Sequence, residues 1–137
     1  MSFSGVNYLA VLVAAVAGFA FGAAWYMTLS RAWLAAVGLD REQLAKRSAT
    51  PFVMSFVALL VMGWVVAGTL GHLGAGQVTM RNGIVSGLFL WLGFVITTLA
   101  VNNAYAQRKL SLTVIDGLHW LGVLVVQGAV IGAMGVR

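Results

Sequence analysis

Acidic residues are almost missing from this chain. Only 3 of its 137 residues are Asp or Glu, and two of them, Asp40 and Glu42, share one polar stretch. Charge of either sign is scarce, at 8% of residues, where soluble domains carry about 25%. A chain so poor in charge cannot cover a water-facing surface, which excludes an ordinary soluble domain. Cysteine is absent, so disulfides, thiolate metal sites and thiol redox chemistry are excluded. There is no nucleophile elbow, no HExxH and no phosphate-binding loop. No second carboxylate or histidine stands at ligand spacing from Asp116 or His119, so neither a metal nor a cofactor is implied. Catalysis has little support: Asp116 and His119 resemble part of an acid–base pair, but no Ser or Cys nucleophile stands in a recognisable context.

What remains is apolar. Hydrophobic residues make up 61% of the chain, and the mean hydropathy is +0.98. A bilayer is crossed by about 20 consecutive apolar residues in a helix. Four such runs are predicted, over about residues 6–29, 52–70, 83–106 and 112–136. The fold class is therefore all-α, a single integral membrane bundle of four transmembrane helices. Met1 to Gly5 carries no Lys or Arg, unlike a cleaved signal peptide, so the first run reads as a retained helix.

Small residues recur every four positions along the spans. The first carries Ala10, Ala14, Gly18 and Gly22, and the second Gly63, Ala67 and Gly71. The third opens with Gly83 and Gly87, and the fourth holds Gly128 and Gly132. Such stripes let helix backbones approach closely in lipid, within one protomer or between protomers. Self-association into a homo-oligomer is expected on this ground. Trp25, Tyr105 and Trp120 are placed as interfacial aromatics.

The connections are short except for residues 31–50. There Asp40 followed by Gln43 resembles a capping box, and a short amphipathic helix is predicted from Arg41 to about Ser48. Leu34, Val37 and Leu44 are expected to dip into the interface while Arg41, Lys46 and Arg47 meet anionic headgroups. Thr50 followed by Pro51 predicts a helix start with Thr50 as the cap. Thr79 is the expected cap of the third helix. His72, beside a glycine-rich turn, reads as a solvated loop residue.

The net charge is +5, but the basic residues flank the apolar runs and form no face for nucleic acid. Arg31, Arg41, Lys46, Arg47, Arg108 and Lys109 lie in the first and third connections. Arg81 and Arg137 lie in the second connection and the tail. The six-residue side is expected to be cytoplasmic, with both termini outside.

One polar cluster interrupts this pattern. Asp116 is the only acidic residue inside an apolar run. His119 and Trp120 follow at i+3 and i+4, on one helix face. Counted from the third turn, Asn102 or Asn103 of the third helix reaches a similar depth, with Thr98 on the same face as Asn102, and Tyr26 and Arg31 of the first helix end near the same level. The spacing permits a polar pocket at the cytoplasmic ends of helices one, three and four. An ionisable group in a membrane must be paired, hydrogen-bonded or protonated. Asp116 is therefore either a register pin, bonded to Asn102, Asn103 or an indole or paired with Arg31, or a proton or cation site assisted by His119.

Four segments resemble a known family: GAAWYMTLSRAW from Gly22 to Trp33, the Thr50-Pro51-Phe52 entry to the second helix, GFVITTLAVN from Gly93 to Asn102, and IDGLHW from Ile115 to Trp120. On these the chain resembles the small bacterial membrane proteins catalogued as a domain of unknown function, number seventeen sixty-one. The resemblance implies a four-helix protein of the bacterial inner membrane and no particular activity. Three functions stay open. The first, towards which the polar cluster leans, is a homo-oligomeric channel or proton-coupled transporter. The second is an accessory or scaffold subunit of a larger membrane complex. The third is a lipid- or quinone-linked membrane enzyme.

Overall fold

The computed structural model describes residues 2–137 and is all-helical, with no strand among them. Helix α1 covers Tyr8–Thr28, α2 Ser30–Val37, α3 Arg41–Ala45, α4 Thr50–His72, α5 Met80–Leu90, α6 Ile96–Tyr105 and α7 Leu110–Met134. A π-helical turn, Trp91–Val95, joins α5 to α6 as one continuous span. Four helical segments, α1, α4, α5–α6 and α7, are long and apolar enough to cross a membrane. Their outer faces carry exposed Val53, Met54, Val57, Val61, Phe89, Leu92 and Phe94. A surface of that kind is an aggregation hazard in water, whereas lipid solvates it. The chain is a multi-pass membrane protein.

Helix α7 is the axis, and every other span packs on it. The closest pairing is with α5, where the two backbones touch. A methyl group added to Gly83 would overlap the carbonyl of Gly128, one on Gly128 would overlap that of Gly83, and one on Gly132 would overlap that of Thr79. On α1, Ala10, Ala14, Ala15 and Gly18 are buried, and on α4 Leu59, Gly63, Val66, Ala67, Gly68 and Leu70. The small-residue stripes are thus occupied inside the protomer.

The chain ends gather at one end of the bundle. Ser2 N–H donates to Gly68 O at 3.1 Å, and Arg137 N–H donates to Gly5 O at 3.0 Å. Phe3 stacks on Trp64, 4.3 Å between centroids. Packing is tight at this terminal end and loosens towards the opposite, basic end. Small residues at Ala10, Ala14, Gly63 and Ala67 bring α1 and α4 together near the termini. One or two turns further on, the larger Phe19 and Phe56 take their place and meet edge to face at 6.1 Å. The first two turns of α4, from Thr50 to Ser55, are exposed. Helix α6 buries no residue at all.

The first connection departs from the sequence expectation. A separate helix, α2, precedes α3. It begins at a break in α1 at Leu29 (φ −102°, ψ 19°) and ends at Gly38, whose φ of +82° is the left-handed cap that suits glycine. Leu34 and Ala36 of α2 are buried and α2 packs on α7, so Leu34 enters the protein rather than the lipid interface. Helix α3 has the expected capping box, Asp40 accepting from Gln43 N–H at 2.7 Å, but it stops at Ala45. The cap of α4 also shifts. Ala49, not Thr50, is the N-cap, and Ser48 Oγ accepts from Thr50 N–H at 3.3 Å. The third span starts at Met80, earlier than residue 83, because Thr79 caps it by accepting from Asn82 N–H at 3.2 Å.

Candidate functional site

Asp116 lies six residues into α7, about 9 Å from its start at the helical rise. Its Oδ1 accepts from Tyr26 O–H at 2.6 Å. The Trp33 indole of α2 lies beside the same carboxylate, and the Tyr26 and Trp33 rings meet edge to face at 6.0 Å. The backbone flanking Asp116 is held as well. Trp25 Nε1 donates to Ile115 O at 3.1 Å, and Trp91 Nε1 donates to Gly117 O at 2.7 Å. Indole N–H groups inside an apolar region need acceptors, and carbonyl oxygens have a second lone pair to give. Three tryptophans from α1, α2 and the π-helical turn thereby converge on one turn of α7.

His119, one turn further along α7, is 8% exposed. Its ring is enclosed by Tyr26 at 4.8 Å, Trp120 at 4.6 Å and Phe21 at 6.3 Å. Nδ1 is buried with no hydrogen-bond partner. Nε2 faces α1 where a glycine makes room: a methyl group on Gly22 would come within 2.8 Å of it. Gly22, His119, Tyr26 and Trp120 form one side of a cleft of ≈ 170 Å³, completed by Gly18, Phe19 and Ala23 of α1 and by Phe52, Ser55 and Leu59 of α4. The cleft follows from the divergence of α1 and α4, and its exposed rim residues are Ala23, Phe52 and Ser55.

The other residues of the expected cluster do not join it. Asn103 Nδ2 donates to Thr113 Oγ1 at 3.0 Å and steadies the turn between α6 and α7. Asn102, Thr98 and Tyr105 are exposed. Helix α6 turns Ile96, Leu99 and Asn103 towards α7 and leaves Thr98 and Asn102 on its exposed side, so equal depth along the chain does not become contact. Arg31 is exposed on α2, and the partner of Asp116 is Tyr26 in its place. His72 ends α4 and is exposed. Lys109 Nζ donates to Ala35 O at 3.0 Å, closing the end of α2. Among the described residues, no three His, Asp, Glu or Cys side chains stand together as a metal-ligand set.

Trp33, Trp91, Ser55 and Gln127 were not singled out in the sequence. Gln127 had a signal: it is a lone amide in the apolar run VVQGAV. It is wholly buried, and its Nε2 donates to Leu59 O at 2.8 Å while Oε1 has no partner. Replacing it with leucine removes one hydrogen bond and one orphaned acceptor together. The two nearly cancel, so Gln127→Leu should change stability by less than about 1 kcal/mol. Gln127→Ala opens a void and should cost about 2–4 kcal/mol. Thermal unfolding of the two variants in detergent micelles checks the contrast, and equal losses would contradict it.

Neither the curated proteins nor the solved structures contain a match to this chain. A family model described as "Protein of unknown function (DUF1761)" matches residues 9–132. That stretch holds the four spans but for Tyr8 at the start of α1 and the last two residues of α7, and every residue of the cleft, and the chain belongs to this family.

Proposed function

We propose that the protein binds a lipid-soluble small molecule whose head enters the cleft between α1, α4 and α7. The observation that carries this reading is His119, a polar side chain more than nine-tenths buried, whose Nε2 faces the space left by Gly22 in the wall of a cavity rimmed by exposed residues. Buried polar groups are as a rule hydrogen-bonded, and binding sites are apolar hollows with a few convergent polar groups. This is the binding half of the lipid- or quinone-linked reading, and it does not require catalysis.

Proton-coupled transport by a homo-oligomer keeps Asp116 in its favour but loses the small-residue stripes, which are covered within the protomer. The basic end, with six of the eight Lys and Arg residues, is the cytoplasmic end in this proposal. The termini then face outward from a bacterial inner membrane. The cleft accordingly lies near the cytoplasmic leaflet.

Filling the cleft tests the reading. Ala23 is exposed on its rim, so Ala23→Phe occupies the space without entering the packed core. Protein taken gently from its own membranes should carry a small molecule near one per chain, detected by mass spectrometry after solvent extraction. Ala23→Phe should lose at least about nine-tenths of it, a tenfold weakening or more. An equal load in both proteins would remove the cleft from consideration.

A further inference from the structure

We infer that the head held in the cleft is the uncharged ring of a quinone-type lipid, anchored by a hydrogen bond from His119 Nε2 to a ring carbonyl. This rests on the cleft being the binding site proposed above. Size comes first. An apolar cavity of about 150 Å³ holds one benzene ring, so a cleft of ≈ 170 Å³ takes a single substituted six-membered ring. Flat aromatic walls, Phe19 and Trp120 among them, suit the faces of such a ring.

The polar groups on the cleft then select the ligand's chemistry. Ser55 O–H donates to Pro51 O at 2.7 Å, and Tyr26 O–H donates to Asp116 at 2.6 Å. Both hydroxyl protons are engaged inside the protein. His119 is left. A neutral imidazole has one N–H and one bare nitrogen, and a buried N–H without an acceptor is the rarer of the two orphans. Because Nδ1 is the buried, partnerless nitrogen, the proton belongs on Nε2. The ligand must therefore offer an acceptor.

Charge narrows the choice further. Asp116 stands one turn from His119 on the same face of α7. A phosphate or carboxylate acceptor would meet that carboxylate in a medium of low dielectric constant, where like charges repel strongly. A neutral ring carbonyl avoids the conflict. The gap between α1 and α4 lets an attached chain pass into lipid.

The test uses the full chain in lipid nanodiscs, titrated with a decyl-substituted benzoquinone. Quinone retained per protein is read by absorbance after the excess is removed. Saturable binding is expected in the wild type and none in Ser55→Phe, which fills the cleft from an exposed position. His119→Leu should weaken binding about tenfold, and His119→Gln, whose amide restores a donor, should recover most of that loss. Short-chain phosphatidylglycerol should not displace the quinone.

Equal affinity in His119→Leu, displacement by phosphatidylglycerol, or no saturable binding each overturns the ring-carbonyl inference. The cleft reading survives those results if the native ligand is still lost in Ala23→Phe. Saturable binding that persists in Ser55→Phe overturns both. Helical circular dichroism confirms that each variant is folded, and Ser55→Phe decides the matter if His119→Leu is not.

Discussion

Gly128→Leu should prevent α5 from docking on α7 and cost at least about 4 kcal/mol, the range in which core overpacking becomes disabling. The reason is the kind of atom it meets. A side chain at Gly128 runs into the Gly83 carbonyl, and one at Gly83 into that of Gly128. Backbone cannot rotate aside as a side-chain tip can. Even Gly128→Ala, which gains about 1 kcal/mol of helix propensity over glycine, should be destabilising, because the helices must move apart along their whole contact. Gly93 supplies the control. It lies on the same two-helix unit but has nothing within 4 Å of an added methyl, so Gly93→Ala should leave stability within about 0.5 kcal/mol of wild type. Unfolding in mixed micelles reads both. If Gly128→Leu and Gly93→Ala unfold alike, the backbone contact between α5 and α7 is not what holds the third span.

The stripe containing Gly128 was legible in the sequence, but its partner was not. Periodicity places Gly83, Gly87, Gly128 and Gly132 on helix faces. It cannot say whether those faces meet each other or a second copy. The four spans were equally legible, since about 20 apolar residues leave a helix little alternative in lipid. Helix α2 was harder to see. Its eight residues, SRAWLAAV, are too short to register as a span, and Arg31 places them in the polar connection between the first two spans. What makes it a packed element is tertiary: Leu34 is buried, Trp33 sits beside Asp116, and Lys109 caps Ala35.

The site divided along the same line. Asp116, His119, Tyr26, Trp25 and Trp120 could be grouped because helix spacing and depth agree for α1 and α7. The same count misled for Asn102 and Thr98. Depth along a helix is a local property, whereas the face that α6 turns to α7 is tertiary: Ile96, Leu99 and Asn103 take that place and leave Thr98 and Asn102 outside. The cleft itself arises from a difference between the two ends of one helix pair, small residues at one and phenylalanines at the other. That difference is written in the sequence, but it acts only once α1 and α4 are known to be neighbours.

The Tyr26–Asp116 bond should be worth about 2 kcal/mol, the middle of the range for a hydrogen bond to a charged group. Tyr26→Phe should lose that amount, since the carboxylate loses its tyrosine donor. Asp116→Leu should lose a similar amount by leaving Tyr26 O–H without its acceptor. The double variant should lose clearly less than the sum, with a coupling of about 1–2 kcal/mol, because the second change removes a group the first had already orphaned. Asp116→Asn is the variant that separates the two roles open to this residue. Its amide oxygen still accepts from Tyr26, so stability should fall by less than about 1 kcal/mol. If Asp116 is a pin, Asp116→Asn is silent in every assay. If it carries protons, Asp116→Asn is folded and stable but abolishes proton flux in liposomes. The geometry favours the pin. Tyr26 packs edge to face on Trp33 across the helix break at Leu29, so the bond from Tyr26 to Asp116 holds the α1–α2 corner against α7. Hydrogen exchange should therefore quicken selectively over α2 in Tyr26→Phe and stay near wild type in Asp116→Asn. Unchanged exchange over α2 in Tyr26→Phe would mean that the corner is held by Leu34 and Lys109 alone.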